Sequence, residues 1–116
     1  MNEKMSSEDI QLVAFNIILH SGNAKTKIHE AFKSMRQANF TLANQHLEEA
    51  NQEILEAHKS QTELLQSYAN GTKIEMEIIM VHAQDHLMTT MTMSEMAIEM
   101  SYLYEKNHEL SKKIIG

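Results

Sequence analysis

Small and apolar residues recur at alternating intervals of four and three through the first third of the chain: Ile10, Ala14, Ile17, Ser21, Ala24, Ile28, Ala31 and Met35. The same alternation returns at Ala43, Leu47, Ala50, Ile54, Ala57, Gln61, Leu64 and Tyr68. Each series marks one buried stripe on an α-helix, and two such stripes can only be satisfied by helix-on-helix packing. Nothing interrupts them strongly, since the 116 residues include no proline and three glycines. The chain is therefore read as all-α and as a single domain, 1–116, of a size that supports one core.

Local signals divide the helices. Ser6 or Ser7, followed by Glu8 and Asp9, makes an N-cap with acids in the first turn. Residues 36–40 read as a short turn with Asn39 or Thr41 capping the next helix, and Asn70-Gly71 is a C-terminal stop. The expected helices span about 7–36, 41–69 and 74–106, an up-and-down three-helix bundle, with Lys112 to Gly116 as a frayed tail. Gly22 and Asn23 follow Ser21 inside the first helix, which either tolerates a kink there or leaves room for a group close to the backbone.

The third helical segment differs in kind. Ile78, Val81, Asp85, Met88 and Thr92 form one stripe; Ile79, His82, His86, Thr89, Met93, Met96 and Met100 form a second; Met76, Met80, Ala83, Leu87 and Met91 form a third. A helix apolar on nearly every side must be covered on nearly every side, and two neighbours cannot do this. Homo-oligomerisation through the third helix follows. Many of the ten methionines lie here and read as gap-filling core rather than metal ligands.

Charge and composition remove several function classes. A formal net charge of −6 with scattered Lys and Arg argues against nucleic-acid binding. The absence of cysteine excludes disulfides, thiolate metal sites and cysteine nucleophiles. No signal-like N-terminus and no apolar run of roughly 18 residues is present, so a cytoplasmic protein without membrane insertion is expected.

One stretch then stands out, Val81-His82-Ala83-Gln84-Asp85-His86-Leu87-Met88, where polar groups interrupt the most apolar helix. Counting from the turns puts Gln61 level with His82, and the Asn16 to Ser21 region within about one helical turn of both. Three readings are open on the residues alone. A polar layer can set helix register. His82 and His86, one turn apart on one face, can chelate a metal, although Ala83 departs from the metalloprotease pattern and the one Glu-x-x-His, Glu105 to His108, is too little for a di-iron bundle. Finally, a neutral imidazole can attack phosphorus directly, with Gln84, Gln61, Ser21 and His86 as donors to phosphoryl oxygens; Asp85 would repel the group unless its charge is absorbed. His20 and His58 lie at the margin of this region, and His29, His46 and His108 read as surface.

The stretch from Val81 to Thr89, with Ala57-His58-Lys59-Ser60-Gln61-Thr62 and Ser21-Gly22-Asn23-Ala24, closely resembles the lactose/cellobiose class of enzyme IIA from the bacterial sugar phosphotransferase system. His20 stands where that pattern has a small or apolar residue. The resemblance implies a homotrimer joined through the third helices. It implies that His82 accepts a phosphoryl group from the histidine-containing phosphocarrier protein and passes it to a cysteine of enzyme IIB. It further implies Gln84, His86 and Gln61 as supporting site residues. Asp85 would then be the metal ligand, three copies sharing one Mg2+ on the trimer axis. The sugar, a β-linked disaccharide, is not specified, and the alternative is a non-enzymatic trimeric scaffold with a structural metal.

Overall fold

The computed structural model describes residues 3–115 as three helices: α1 (Ser7–Arg36), α2 (Phe40–Ala69) and α3 (Ile78–Ile115). Ser6 caps α1, its side chain accepting from the Asp9 N–H, and Asn39 caps α2 by accepting from Leu42. Ala69 ends α2 against Asn70, and Gly71 takes φ 99°, a conformation that favours glycine. The 4–3 stripes are the buried ones on α1 and α2, Tyr68 excepted, which is exposed.

The core falls into two clusters along the bundle axis. Ile10, Ala14, Ile17, Ala57, Leu64, Met80, Ala83 and Leu87 fill one end. Ala24, Ile28, Ala31, Met35, Ala43, Leu47, Ala50, Ile54 and Ala97 fill the other. Ser21 on α1, with Thr90 and Ser94 on α3, lies buried at the boundary between them. The expected polar layer of Ser21, Gln61 and His82 is not one connected network: the Ser21 hydroxyl is buried without a hydrogen-bond partner, Gln61 bonds Gln84 and His82 is exposed.

Both ends of α3 depart from expectation. It begins at Ile78 rather than 74 because the preceding backbone is engaged elsewhere. Lys73 donates to the Glu3 carbonyl at 2.7 Å and accepts from the Met5 N–H at 2.8 Å, an isolated parallel bridge that keeps this segment out of the helix. Lys4 closes the strap on Glu75 at 2.8 Å, hydrogen-bonding it and holding its carboxyl below the ordinary carboxylate pKa. The pair is exposed, so screening keeps its contribution small. At the other end, Lys112 to Ile115 are helical rather than frayed, and Gly116 lies outside the described residues. No stop residue precedes Gly116, and Lys112 and Lys113 complement the dipole of the last turn.

Ala38, in the α1–α2 turn, has φ 58°, a left-handed conformation that costs a β-carbon about 1–2 kcal/mol. Glycine's greater chain entropy offsets about 0.5–1 kcal/mol of this. Ala38→Gly is expected to raise stability by up to about 1 kcal/mol in urea unfolding; a lower midpoint at unchanged m-value would contradict the strain.

Candidate functional site

The third helix distributes its polar residues by azimuth, at about 100° per residue. Ala83, Leu87 and Thr90 face the core and are buried. On the flank beside α1, His82 is exposed and His86 half-buried, with ring centroids 6.1 Å apart. Thr90 Oγ1 lies 3.4 Å from His86 Nδ1, a contact that steadies the inner ring. On the α1 side, a β-carbon placed on Gly22 would sit 4.0 Å from His86 Nε2. The His86 imidazole therefore packs beside the α1 backbone at Gly22, where a methyl group would make ordinary contact and only a larger side chain would compete for its space.

The flank beside α2 carries the glutamines. Gln61 Nε2 donates to Gln84 Oε1 and lies 3.8 Å from Met88 Sδ, while Gln84 Nε2 is 3.6 Å from Met80 Sδ. Gln61, expected level with His82, thus meets α3 at Gln84 and Met88, close to that height but on the other flank of the helix. A groove of about 430 Å³ opens next to Gln84, lined by Leu64, Leu65, Tyr68, Ile74 and Met80. Within one chain, therefore, His82 with His86 and Gln84 with Gln61 occupy opposite flanks of α3.

Between the flanks lies the face opposite the core. Val81 and Met88 are each 52% exposed and Ile78 is 89% exposed, with Asp85 exposed among them. One chain offers a single carboxylate here, and among the described residues no cluster of three His, Cys, Asp or Glu side chains could hold a metal. A carboxylate oxygen suits a hard cation such as Mg2+, which several copies of Asp85 would have to hold together.

The remaining histidines do other work. His20 Nδ1 donates to Glu53 at 2.5 Å, with Asn23 on the same carboxylate at 3.5 Å, so this departure from the family pattern is a clamp between α1 and α2, directed away from His86. His46, expected at the surface, is half-buried 3.3 Å from Glu30 and 3.7 Å from Glu49, misaligned for a hydrogen bond. Lys27 joins this group at 3.1 Å from Glu49, whose hydrogen bond and charge raise its pKa. His58 is exposed, 3.5 Å from Thr62 Oγ1, and His108 packs on Phe40 with centroids 5.8 Å apart. These clamps depend on the register between helices, which one helix's periodicity does not encode.

Gly22→Leu is expected to displace the His86 ring, visible as a shift of its imidazole NMR signals, whereas Gly22→Ala, at ordinary contact distance, leaves them in place. Equal spectra for both variants would contradict the packing role of Gly22.

Comparison with known proteins supplies the context for this arrangement. Residues 12–105 match the family described as the lactose/cellobiose-specific IIA subunit of the PTS system. The chain is 44% identical over 100 residues to the lichenan-specific phosphotransferase enzyme IIA component of Bacillus subtilis, covering 86% of this chain and 91% of that protein. It is 40% identical to the lactose-specific EIIA component of Staphylococcus epidermidis, covering 88% and 98%. Among solved structures, PtcA from S. mutans superposes with a TM-score of 0.86 at 62% identity, covering 87% and 99%. The cellobiose-specific enzyme IIA of Bacillus anthracis gives 0.84 at 39%, covering 90% and 94%. Among the described residues no helix is long and apolar enough to cross a membrane. The chain belongs to the lactose/cellobiose-specific enzyme IIA family, whose members are relay proteins of the sugar phosphotransferase system.

Proposed function

We propose that His82 is the phosphoryl acceptor, taking the group from the phosphohistidine of the histidine-containing phosphocarrier protein and passing it to a cysteine of the cognate enzyme IIB during uptake of a β-linked disaccharide. The observation that carries this reading is the exposed His82 ring beside the half-buried, steadied His86. An imidazole nitrogen lone pair forms the new N–P bond as the donor's N–P bond breaks, and the donor imidazole leaves with that electron pair. On the next transfer a thiolate forms the S–P bond and His82 leaves in turn. Neither step needs a base strong enough to deprotonate an alcohol, so positioning and donors to the phosphoryl oxygens lower the barrier.

A relay site must also admit a protein. Leu12, Phe15 and Leu19 are 66%, 54% and 57% exposed on α1. Phe15 and Leu19 continue as a stripe to Gly22, which abuts His86, and so form an apolar shoulder next to the acceptor. Such a surface suits a macromolecular donor better than a free anion.

Assembly completes the reading. The outward face of α3, with Val81, Asp85 and Met88, is the surface by which three copies would meet about a threefold axis. A closed ring of this kind is heterologous, so the α1-side flank of each α3 meets the α2-side flank of the next. His82 of one subunit then lies opposite Gln84 and Gln61 of its neighbour, which reunites residues that one chain separates. The three Asp85 carboxylates converge on the axis, where a shared Mg2+ would neutralise their mutual repulsion. That role is assembly, apart from the transfer chemistry.

Incubation with phosphoenolpyruvate, enzyme I and the phosphocarrier protein is expected to add one acid-labile phosphoryl group per chain by intact mass, and none to His82→Ala. Modification of His82→Ala would contradict the assignment. Asp85→Leu is expected to keep or raise oligomer stability, since replacing buried like charges by apolar groups can stabilise by about 1–4 kcal/mol. A monomeric Asp85→Leu protein would contradict the axial placement.

A further inference from the structure

A threonine inside a helix commonly sends its hydroxyl back to a carbonyl one turn earlier. On α3 Thr92 does so, reaching the Met88 carbonyl at 3.2 Å. Thr89 does so too, its Oγ1 shared between the carbonyls of Asp85 at 2.8 Å and His86 at 3.2 Å. Thr90 departs from this habit. The carbonyl it would use, that of His86, already accepts from Thr89 Oγ1 and from the helical N–H of Thr90 itself, so both lone pairs are engaged. Its hydroxyl meets the ring of that residue instead, His86 Nδ1 at 3.4 Å, and makes no other hydrogen bond among the described residues.

Burial decides which way this bond runs. Thr90 is 2% exposed, so water does not serve its hydroxyl, and a buried donor left unpaired is costly. The hydroxyl has one proton and Nδ1 is its one acceptor, so Thr90 donates and Nδ1 holds the lone pair. A neutral imidazole with its lone pair on Nδ1 carries its proton on Nε2. That nitrogen is free: it has no hydrogen-bond partner among the described residues, and beside it on α1 stands Gly22, which has no polar side chain and whose carbonyl accepts from Thr26 Oγ1 at 3.2 Å. The pairing of His58 with Thr62, 3.5 Å apart, fixes no tautomer in this way, because His58 is exposed to water.

We propose that Thr90 is a positioning residue for phosphoryl transfer: it holds His86 in the Nε2–H tautomer, so that this N–H donates to an oxygen of the phosphoryl group carried by His82. The inference rests on the His82 reading above. The two rings stand 6.1 Å apart between centroids and no hydrogen bond joins them, so neither consumes the other's free nitrogen. The proton stays on His86 throughout, shared in a hydrogen bond that the charge of the phosphoryl oxygen strengthens. The opposite tautomer would aim a lone pair at the same oxygens. Thr90 itself, being buried, touches neither the phosphoryl group nor a partner protein.

Histidine-selective 15N NMR of the unphosphorylated protein reads the tautomer directly. In mildly alkaline buffer, with the ring neutral, His86 is expected to show a pyridine-type Nδ1 and a pyrrole-type Nε2. Thr90→Val, nearly isosteric but without the hydroxyl, is expected to lose that single state. It is also expected to lower the rate of transfer to His82 at saturating phosphocarrier about three- to tenfold, less than the loss of an oxyanion donor outright. The KM for the phosphocarrier stays unchanged, and Thr90→Ser restores both the spectrum and the rate. A wild-type His86 protonated on Nδ1 overturns the proposal without recourse to any variant. So does a Thr90→Val protein that matches the wild type in spectrum and rate, or a Thr90→Ser protein that behaves as Thr90→Val, which would assign the effect to packing. None of these results removes His82 as acceptor, which falls only if His82→Ala is itself phosphorylated.

Discussion

The constraint on which this structure turns is that α3 spans 38 residues and buries only one face in its own chain. Ala83, Leu87, Thr90, Ser94, Ala97 and Ser101 are small or medium residues that let α1 and α2 approach closely, and they satisfy the core. The opposite face carries Ile78, Val81, Met88 and Met96 in the open, a continuous apolar surface with one carboxylate in it. Such a surface on a monomer is unfavourable, and the proposed threefold assembly would cover three copies at once while turning Asp85 inward.

Once α3 is shared between copies, the chemistry falls into place around its two flanks. The imidazoles belong to the α1 side, where Thr90 steadies His86 and its ring packs beside Gly22. The amides belong to the α2 side, where Gln61 and Gln84 hold one another. On the proposed reading, a single subunit has an acceptor without its full complement of donors, and assembly would be part of the transfer site. The α1–α2 seam, by contrast, is internal scaffolding, tied across by His20 with Glu53 and Lys27 with Glu49.

Much of this was legible in the residues. The 4–3 stripes located α1 and α2 to within a residue, because caps and glycine gave local stops at Ser6, Asn39 and Gly71. Counting from those turns placed Gln61 level with His82, and it meets α3 close to that height, at Gln84. The start of α3 was not legible, because it is set by Lys73 pairing with Glu3 and Met5, about seventy residues away in sequence. Its far end was misread as fraying because Lys112 and Lys113 resemble a solvated tail, although they also suit a helix terminus. The separation of Gln84 from His82 was implicit in the 100° step, but only the contacts with Gln61 and Gly22 tell which flank faces which helix.

The account's central claim is that the transfer site is completed by a neighbouring subunit. Subunit exchange between His82→Ala and Gln84→Met proteins tests it most directly, with phosphoryl transfer to enzyme IIB as the readout. Each variant alone transfers poorly, whereas random mixing places an intact His82 opposite an intact neighbouring Gln84 at about a quarter of interfaces. The account predicts that transfer recovers toward about that fraction of the wild-type rate. No recovery in verified mixed trimers would contradict it and return the site to a single chain.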